Sequence, residues 1–141
     1  MRVKVFNNGE RGASVLEFAI VLPILLVLLF GVIEFGFILY NKAMLTNAAR
    51  EGVRAGIVAQ SPRLDEDGIR AIVEKYCEDM LVSFGGSTVP TVVATLPASL
   101  TFGNDLEVEV TYPYSFLLIP SFVPVIPPAV DLQARVIMKY E

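Results

Sequence analysis

The sequence predicts an α+β fold with a long N-terminal transmembrane helix that extends out of the membrane, a second amphipathic helix and a small three-stranded antiparallel sheet. Residues 18–40 contain one charged side chain, Glu34. As a helix they span about 35 Å at about 1.5 Å per residue, which exceeds the roughly 30 Å of a hydrocarbon core. Residues 64–84 place apolar side chains on one helical face. After Gly86 the apolar period changes to two, which is typical of strands with one buried face.

The charges on either side of the apolar run predict its orientation. The first twelve residues carry three basic side chains and one acid, so by the positive-inside rule this end stays in the cytoplasm. The run is longer than a signal-peptide core of roughly 7–15 residues, and no small-residue cleavage site follows it closely. We therefore expect a single-pass protein of the cytoplasmic (inner) membrane, in contact with membrane lipid. Its predicted parts are a cytoplasmic leader at 1–12, a transmembrane helix at 13–40 and an extracytoplasmic α+β domain at 41–141.

The membrane helix is predicted to continue beyond the membrane surface. Residues 42–59 are rich in helix formers and contain no proline. Ala48, Gly52 and Gly56 recur every four residues, so they share one helix face, and side chains this small let a neighbouring backbone or sheet approach closely. We expect this small-residue stripe (Ala48, Gly52 and Gly56) to be a helix-packing surface, against the domain's own sheet or a partner helix.

Three segments are predicted to form the antiparallel sheet: residues 88–96, 106–112 and 130–136. The segment between the last two, residues 115–130, is apolar and contains four prolines, which exclude a helix or a central strand there. Two interpretations remain open. The segment either covers the open end of a small core or forms an apolar surface that touches neighbouring subunits or the lipid interface.

The residue types present offer little chemistry. The chain has no histidine, which excludes Ser-His and Cys-His pairs and a His-based metal site. Residues 65–68 resemble a calcium loop only faintly, because the glycine is misplaced, and a charged first helical turn explains them better. The net charge of −4 gives no indication of nucleic-acid binding. We expect no enzyme activity, no metal and no cofactor.

Two isolated side chains have structural interpretations. Cys77, the only cysteine, lies on the apolar face of the second helix, where we expect a buried small hydrophobe rather than a reactive thiol. Glu34 lies toward the outer end of the membrane span. It either reaches water at the lipid boundary or takes part in helix packing, and the first interpretation is favoured.

Glu17 is a carboxylate just inside the apolar run, and its spacing from a glycine offers an explanation. If the chain is cut after Gly12, Ala13 becomes the first residue and Glu17 the fifth, one helical turn away. The new amine then gives the carboxylate a partner, on the same chain or on a neighbour. Gly12 has no side chain, which suits a protease that must contact the backbone closely. The alternative is an acid stabilised by the dipole at a helix N-terminus.

The stretch "RGASVLEFAIVLPILLVLLFGVIEFG" resembles the N-terminus of a class III prepilin, with Gly12, Ala13 and Glu17 at the matching positions. Together with "TNAAREGVRAG", "VEVTYPYSF" and "LQARVIMKYE", it resembles the TadE/TadG-like pseudopilin family of tight-adherence (Flp) pilus systems. The short chain is most similar to a TadE-like minor pilin. Phe18 departs from the family, which often has tyrosine after the glutamate.

The resemblance implies cleavage by a prepilin peptidase and a part in building an Flp-type pilus. The implied partners are that peptidase, other pilus subunits and the Tad assembly platform, and the subunit would lie in the inner membrane or in the extracellular pilus. The alternative is an unprocessed, single-pass, membrane-anchored scaffold of a secretion machine. A third class, a secreted enzyme or binding protein with an uncleaved anchor, would need a pocket with convergent polar groups, which the sequence does not indicate.

Overall fold

The described residues of the protein form two helices followed by three strands. The computed structural model describes residues 8–58, 62–83, 89–99, 101–116 and 129–140. The elements are α1 (Asn8–Ile57), α2 (Glu66–Met80), β1 (Thr91–Thr95), β2 (Asp105–Ser115) and β3 (Ala129–Lys139). The strands form one sheet in the order β1-β2-β3, and both neighbouring pairs are antiparallel. The predicted α+β fold class is therefore confirmed.

Helix α1 is a single helix of 50 residues that contains Pro23 and is about 75 Å long at about 1.5 Å per residue. Its first part stands clear of the rest of the protein, because none of residues 12–33 is buried. These residues include an apolar segment long enough to cross a membrane. The first half of α1 is therefore an anchor, and the second half is part of the folded domain.

Beyond Ile33 one face of α1 packs onto the domain. Its buried residues recur at helical spacing and are Glu34, Asn41, Leu45, Ala48, Ala49, Gly52, Val53 and Gly56. Near one end of this face Gly56 approaches Leu106, and at the other Glu34 meets Tyr114. Strand β2 therefore runs antiparallel to α1, with its Ser115 end toward the exposed anchor.

The sheet has one buried face and one solvent-exposed face. The inward side chains of β2 are Leu106, Val108, Val110, Tyr112 and Tyr114. On the outer face Arg135 pairs with Glu107 at 2.6 Å, and Lys139 pairs with Asp105 at 3.0 Å. Exposed pairs of this kind contribute about 0.2–1 kcal/mol each, so the stability of the sheet comes mainly from its apolar face, which packs on α1 and α2.

Helix α2 begins with a side-chain cap. The Asp65 carboxylate accepts a hydrogen bond from the Gly68 N–H at 2.8 Å, which satisfies one of the free donors of the first turn. Ile69, Val73 and Cys77 form its buried face. The helix is shorter than the predicted 64–84, because Leu81 adopts an extended conformation and ends it at Met80.

The strands also differ in length from their predictions. β1 is shorter than expected, whereas β2 and β3 are longer and pair from Asp105↔Lys139 to Ser115↔Ala129. Pro113 lies within β2, beyond the part that pairs with β1, which begins opposite Thr111, so among the described strands it borders β3 alone and lies at an edge, where proline is tolerated. Most of the proline-rich segment predicted at 115–130 lies outside the described residues, so neither interpretation of it is tested.

Candidate functional site

The predicted cleavage site lies near the start of α1. Gly12, Ala13 and Glu17 are all helical and exposed, and Ala13 and Glu17 are one turn apart. A Cβ placed on Gly12 would meet no atom within 4 Å. A protease therefore has open access to the Gly12–Ala13 bond, and because helix ends fray readily, the short helical stretch before it can open. The assignment of this bond as a cleavage site stays a prediction.

The small-residue stripe lies against the protein's own α2 and β2. A Cβ on Gly52 would overlap with Cγ2 of Val73, and a Cβ on Gly56 would lie 2.5 Å from Cδ2 of Leu106. Ala48 is fully buried in the same core. The close approach of α1 to the other elements thus requires glycine at two positions of the stripe.

Glu34 is buried at the point where the anchor meets the domain. It is 1% exposed, and the Tyr114 hydroxyl donates a hydrogen bond to its Oε1 at 2.7 Å. The expectation that Glu34 reaches water at the lipid boundary is therefore wrong, because the end of β2 covers it. Burial, followed by the hydrogen bond and the charge of Glu34, raises the pKa of the Tyr114 hydroxyl well above its usual range. Tyr114 therefore stays protonated and remains a donor at physiological pH.

Asn41 is a second buried polar side chain on the same face of α1. Its amide donates to the Val82 carbonyl at 2.9 Å and accepts from the Val82 N–H at 3.0 Å. This reciprocal pair holds the chain that leaves α2 against α1. The pair was not predicted from the sequence, in which the available indication is a lone asparagine one turn before Leu45.

Removal of the Tyr114 hydroxyl should destabilise the domain. We expect Tyr114→Phe to lower the free energy of unfolding by about 1–3 kcal/mol, the range for a buried acceptor that loses a hydrogen-bond donor. Thermal unfolding of the full chain in detergent micelles measures the loss. The matched control is Tyr40→Phe, since the Tyr40 hydroxyl makes an exposed bond of 3.2 Å to the Met80 carbonyl. Equal melting temperatures for the two variants would contradict the importance of the Glu34 contact.

Cys77 is expected to be unreactive in the folded protein. Burial, with a smaller contribution from the charge of Glu74, raises the pKa of its thiol to about 11. Since the thiolate is the nucleophile, labelling by iodoacetamide at pH 7–8 should be slow until the chain is unfolded in denaturant. Rapid labelling of the native protein, at the rate of a small free thiol, would contradict the buried position.

In the part of the chain that the structure describes, one exposed apolar helix is joined to a small α+β domain. This arrangement defines the class of protein: a domain with single-pass membrane anchoring, packed on the second half of its own anchor helix. The family model described as TadE-like protein matches residues 12–54, so the resemblance to the TadE-like family is confirmed over that segment. The matched segment begins at Gly12 and contains Glu17, Glu34 and most of the small-residue stripe. No curated protein and no solved structure matches the chain.

Proposed function

We propose that the protein is a minor pilin, or pseudopilin, that is cut after Gly12 by a prepilin peptidase and then takes part in assembling a tight-adherence (Flp-type) pilus. The observation that carries the proposal is the spacing of Gly12, Ala13 and Glu17 at the start of an exposed apolar helix. The match to the TadE-like family over residues 12–54 supports it. Its work is mechanical, with no catalytic role, no cofactor and no nucleic-acid partner.

The exposed anchor is the surface for subunit contact in this proposal. Large apolar side chains surround the helix between residues 15 and 33, and none of residues 12–33 is buried by the protein's own domain. In the membrane this surface contacts lipid, and in a pilus it packs laterally on the helices of other subunits. The small-residue stripe is already covered by α2 and β2, so it fixes the domain on the helix rather than recruiting a partner.

Cleavage supplies a positive charge that can pair with the Glu17 carboxylate. The cut leaves a positive amine on Ala13, and a residue four positions earlier on a helix is a surface neighbour. Within an apolar bundle an unpaired charge is costly, so the amine and the carboxylate pair within one subunit or between two. The pairing makes assembly depend on processing. The proposed location is the inner membrane with the domain outside the cytoplasm, and the proposed partners are the peptidase, other pilus subunits and the Tad assembly platform.

Gly12→Val tests the processing step. We expect the variant to keep its leader, because a β-branched side chain obstructs close contact between the protease and the backbone. The readout is the intact mass of the membrane-inserted protein in its own host. The matched control is Gly31→Val, the same substitution in the same helix at a position that also has open space around it. Normal trimming of Gly12→Val would oppose the proposal.

The second candidate function is an unprocessed membrane-anchored scaffold of a secretion machine. It is favoured by the helical state of residues 8–12, since a continuous helix through the leader needs no cut to be stable. The scaffold requires the leader to be present in the working protein, whereas the pseudopilin requires its removal. The two candidates therefore differ in the first residue of the native chain.

A further inference from the structure

The end of the domain that faces the anchor carries an apolar surface of its own. Phe35 and Leu39 lie one turn apart on α1, on the side away from the domain, and are 60% and 53% exposed. Beside them is an apolar groove of about 340 Å³, which is lined by Ile33, Gly36, Phe37, Tyr40 and Val82. Val82 belongs to the segment after α2, so the groove is built by the anchor and the domain together.

The length of the uncharged helix indicates what covers this surface. Residues 18–33, between Glu17 and Glu34, are sixteen in number and span about 24 Å at about 1.5 Å per residue. A hydrocarbon core of about 30 Å therefore extends about one further helical turn, to about residue 37, between the levels of Phe35 and Leu39. That turn is apolar on its exposed face, so it is suited to lipid.

The burial of Glu34 agrees with a position at the outer boundary of the hydrocarbon core. A carboxylate in or near the hydrocarbon is costly unless protein groups surround it, and Glu34 is 1% exposed beneath the hydroxyl of Tyr114. Tyr114 lies close to the Ser115 end of β2, the end that points toward the anchor. The Ser115 end of β2 therefore lies at the same depth as Glu34 and shields its carboxylate from lipid.

We infer that the membrane-facing end of the domain is seated in the lipid at the outer boundary of the bilayer rather than held above it. Phe35, Leu39 and the groove contact acyl chains near the headgroups, and Tyr40 lies at the interface, where tyrosine is favoured. The surface is continuous with the exposed apolar anchor, which is the argument for lipid as its occupant. The inference goes beyond the pilus proposal and depends only on membrane anchoring.

Single tryptophans test the inference cleanly, because the chain has no tryptophan of its own. Leu39→Trp and Phe35→Trp place the probe on the proposed lipid surface, and both positions are exposed, so the fold should tolerate them. Leu25→Trp reports insertion of the anchor. The control is Phe102→Trp. Phe102 lies in the turn before β2, at the far end of the sheet, and its side chain is 85% exposed.

The full chain is reconstituted in phosphatidylcholine vesicles, with and without phosphatidylcholine brominated on the acyl chain near the headgroup. We expect Leu39→Trp and Phe35→Trp to show blue-shifted emission that the bromolipid quenches, and Phe102→Trp to show neither. Red-shifted, unquenched emission at residues 35 and 39 would mean that the domain stands off the bilayer, and would overturn the inference.

A second copy of the chain is the other candidate occupant. Blue-shifted emission that bromolipid does not quench, and that moves to the red as the protein is diluted in lipid, would assign the surface to that copy and overturn the inference. Red-shifted emission from Leu25→Trp, as from a tryptophan in water, would contradict the anchoring itself. None of these readouts involves leader removal or pili, so a failure here is distinct from a failure of the pseudopilin proposal.

Discussion

Glu17→Val is expected to give a protein that is trimmed and inserted in the membrane but does not join other pilus subunits. The cut lies four residues before Glu17 and on an open part of the helix, so the peptidase can still act. The substitution removes the carboxylate that would pair with the new Ala13 amine. A charge in the centre of a membrane-spanning helix costs about 2.5–3.5 kcal/mol by insertion measurements. Enclosed among the apolar helices of an assembled bundle, the unpaired amine would bear a cost of that kind or lose its proton.

Assembly is measured by crosslinking or copurification of the trimmed variant with neighbouring subunits, together with a count of surface pili. Glu17→Gln removes the charge while it keeps the shape of the side chain, so it should behave like Glu17→Val. Glu66→Gln is the matched control, since Glu66 is an exposed acid in the first turn of α2. If Glu17→Val copurifies and forms pili like the wild type, Glu17 is only an acid at a helix start.

Gly52→Leu is expected to abolish or strongly destabilise packing of the domain on α1. Even a Cβ at this position would overlap with Cγ2 of Val73. Val73 is β-branched and buried, so it has little freedom to move aside. Extra methylenes in a well-packed core cost about 1–3 kcal/mol and occasionally more, which outweighs the gain of about 1 kcal/mol from replacing a helical glycine.

The effect is measured as the amount of protein that accumulates in membranes and as the melting temperature in detergent micelles. Gly31→Leu makes the same change on the same helix where a Cβ meets no atom within 4 Å, so it should accumulate normally. Wild-type stability and wild-type piliation in Gly52→Leu would show that this helix face tolerates bulk, contrary to the close packing described above.

Local patterns were sufficient to predict the elements. The uncharged run, the alternation of residues 106–112 and the four-residue recurrence of small residues each depend on near neighbours, and the fold class follows from them. The partners of buried polar groups could not be predicted in this way. Glu34 meets a tyrosine 80 positions later, and Asn41 meets a backbone 41 positions later, so the sequence alone does not indicate that either side chain is satisfied.

The overlap between the apolar run and the buried face of α1 shows the same limit of local sequence patterns. The apolar run continues to Tyr40, where the predicted transmembrane helix ends, and the buried face of α1 already starts at Glu34 within that run. Apolar side chains that face lipid and apolar side chains that face a protein core look alike in a sequence. Only the packing of the domain on one side of the helix separates Phe37 from its exposed neighbour Phe35.

The central claim is that cleavage after Gly12 converts the chain into a subunit able to assemble, and the N-terminus of the protein from its own host tests that claim most directly. Intact mass and N-terminal sequencing of the membrane-extracted protein should give a chain that begins at Ala13. A full-length chain, or one that begins near Ala48 after the apolar run, would contradict the claim.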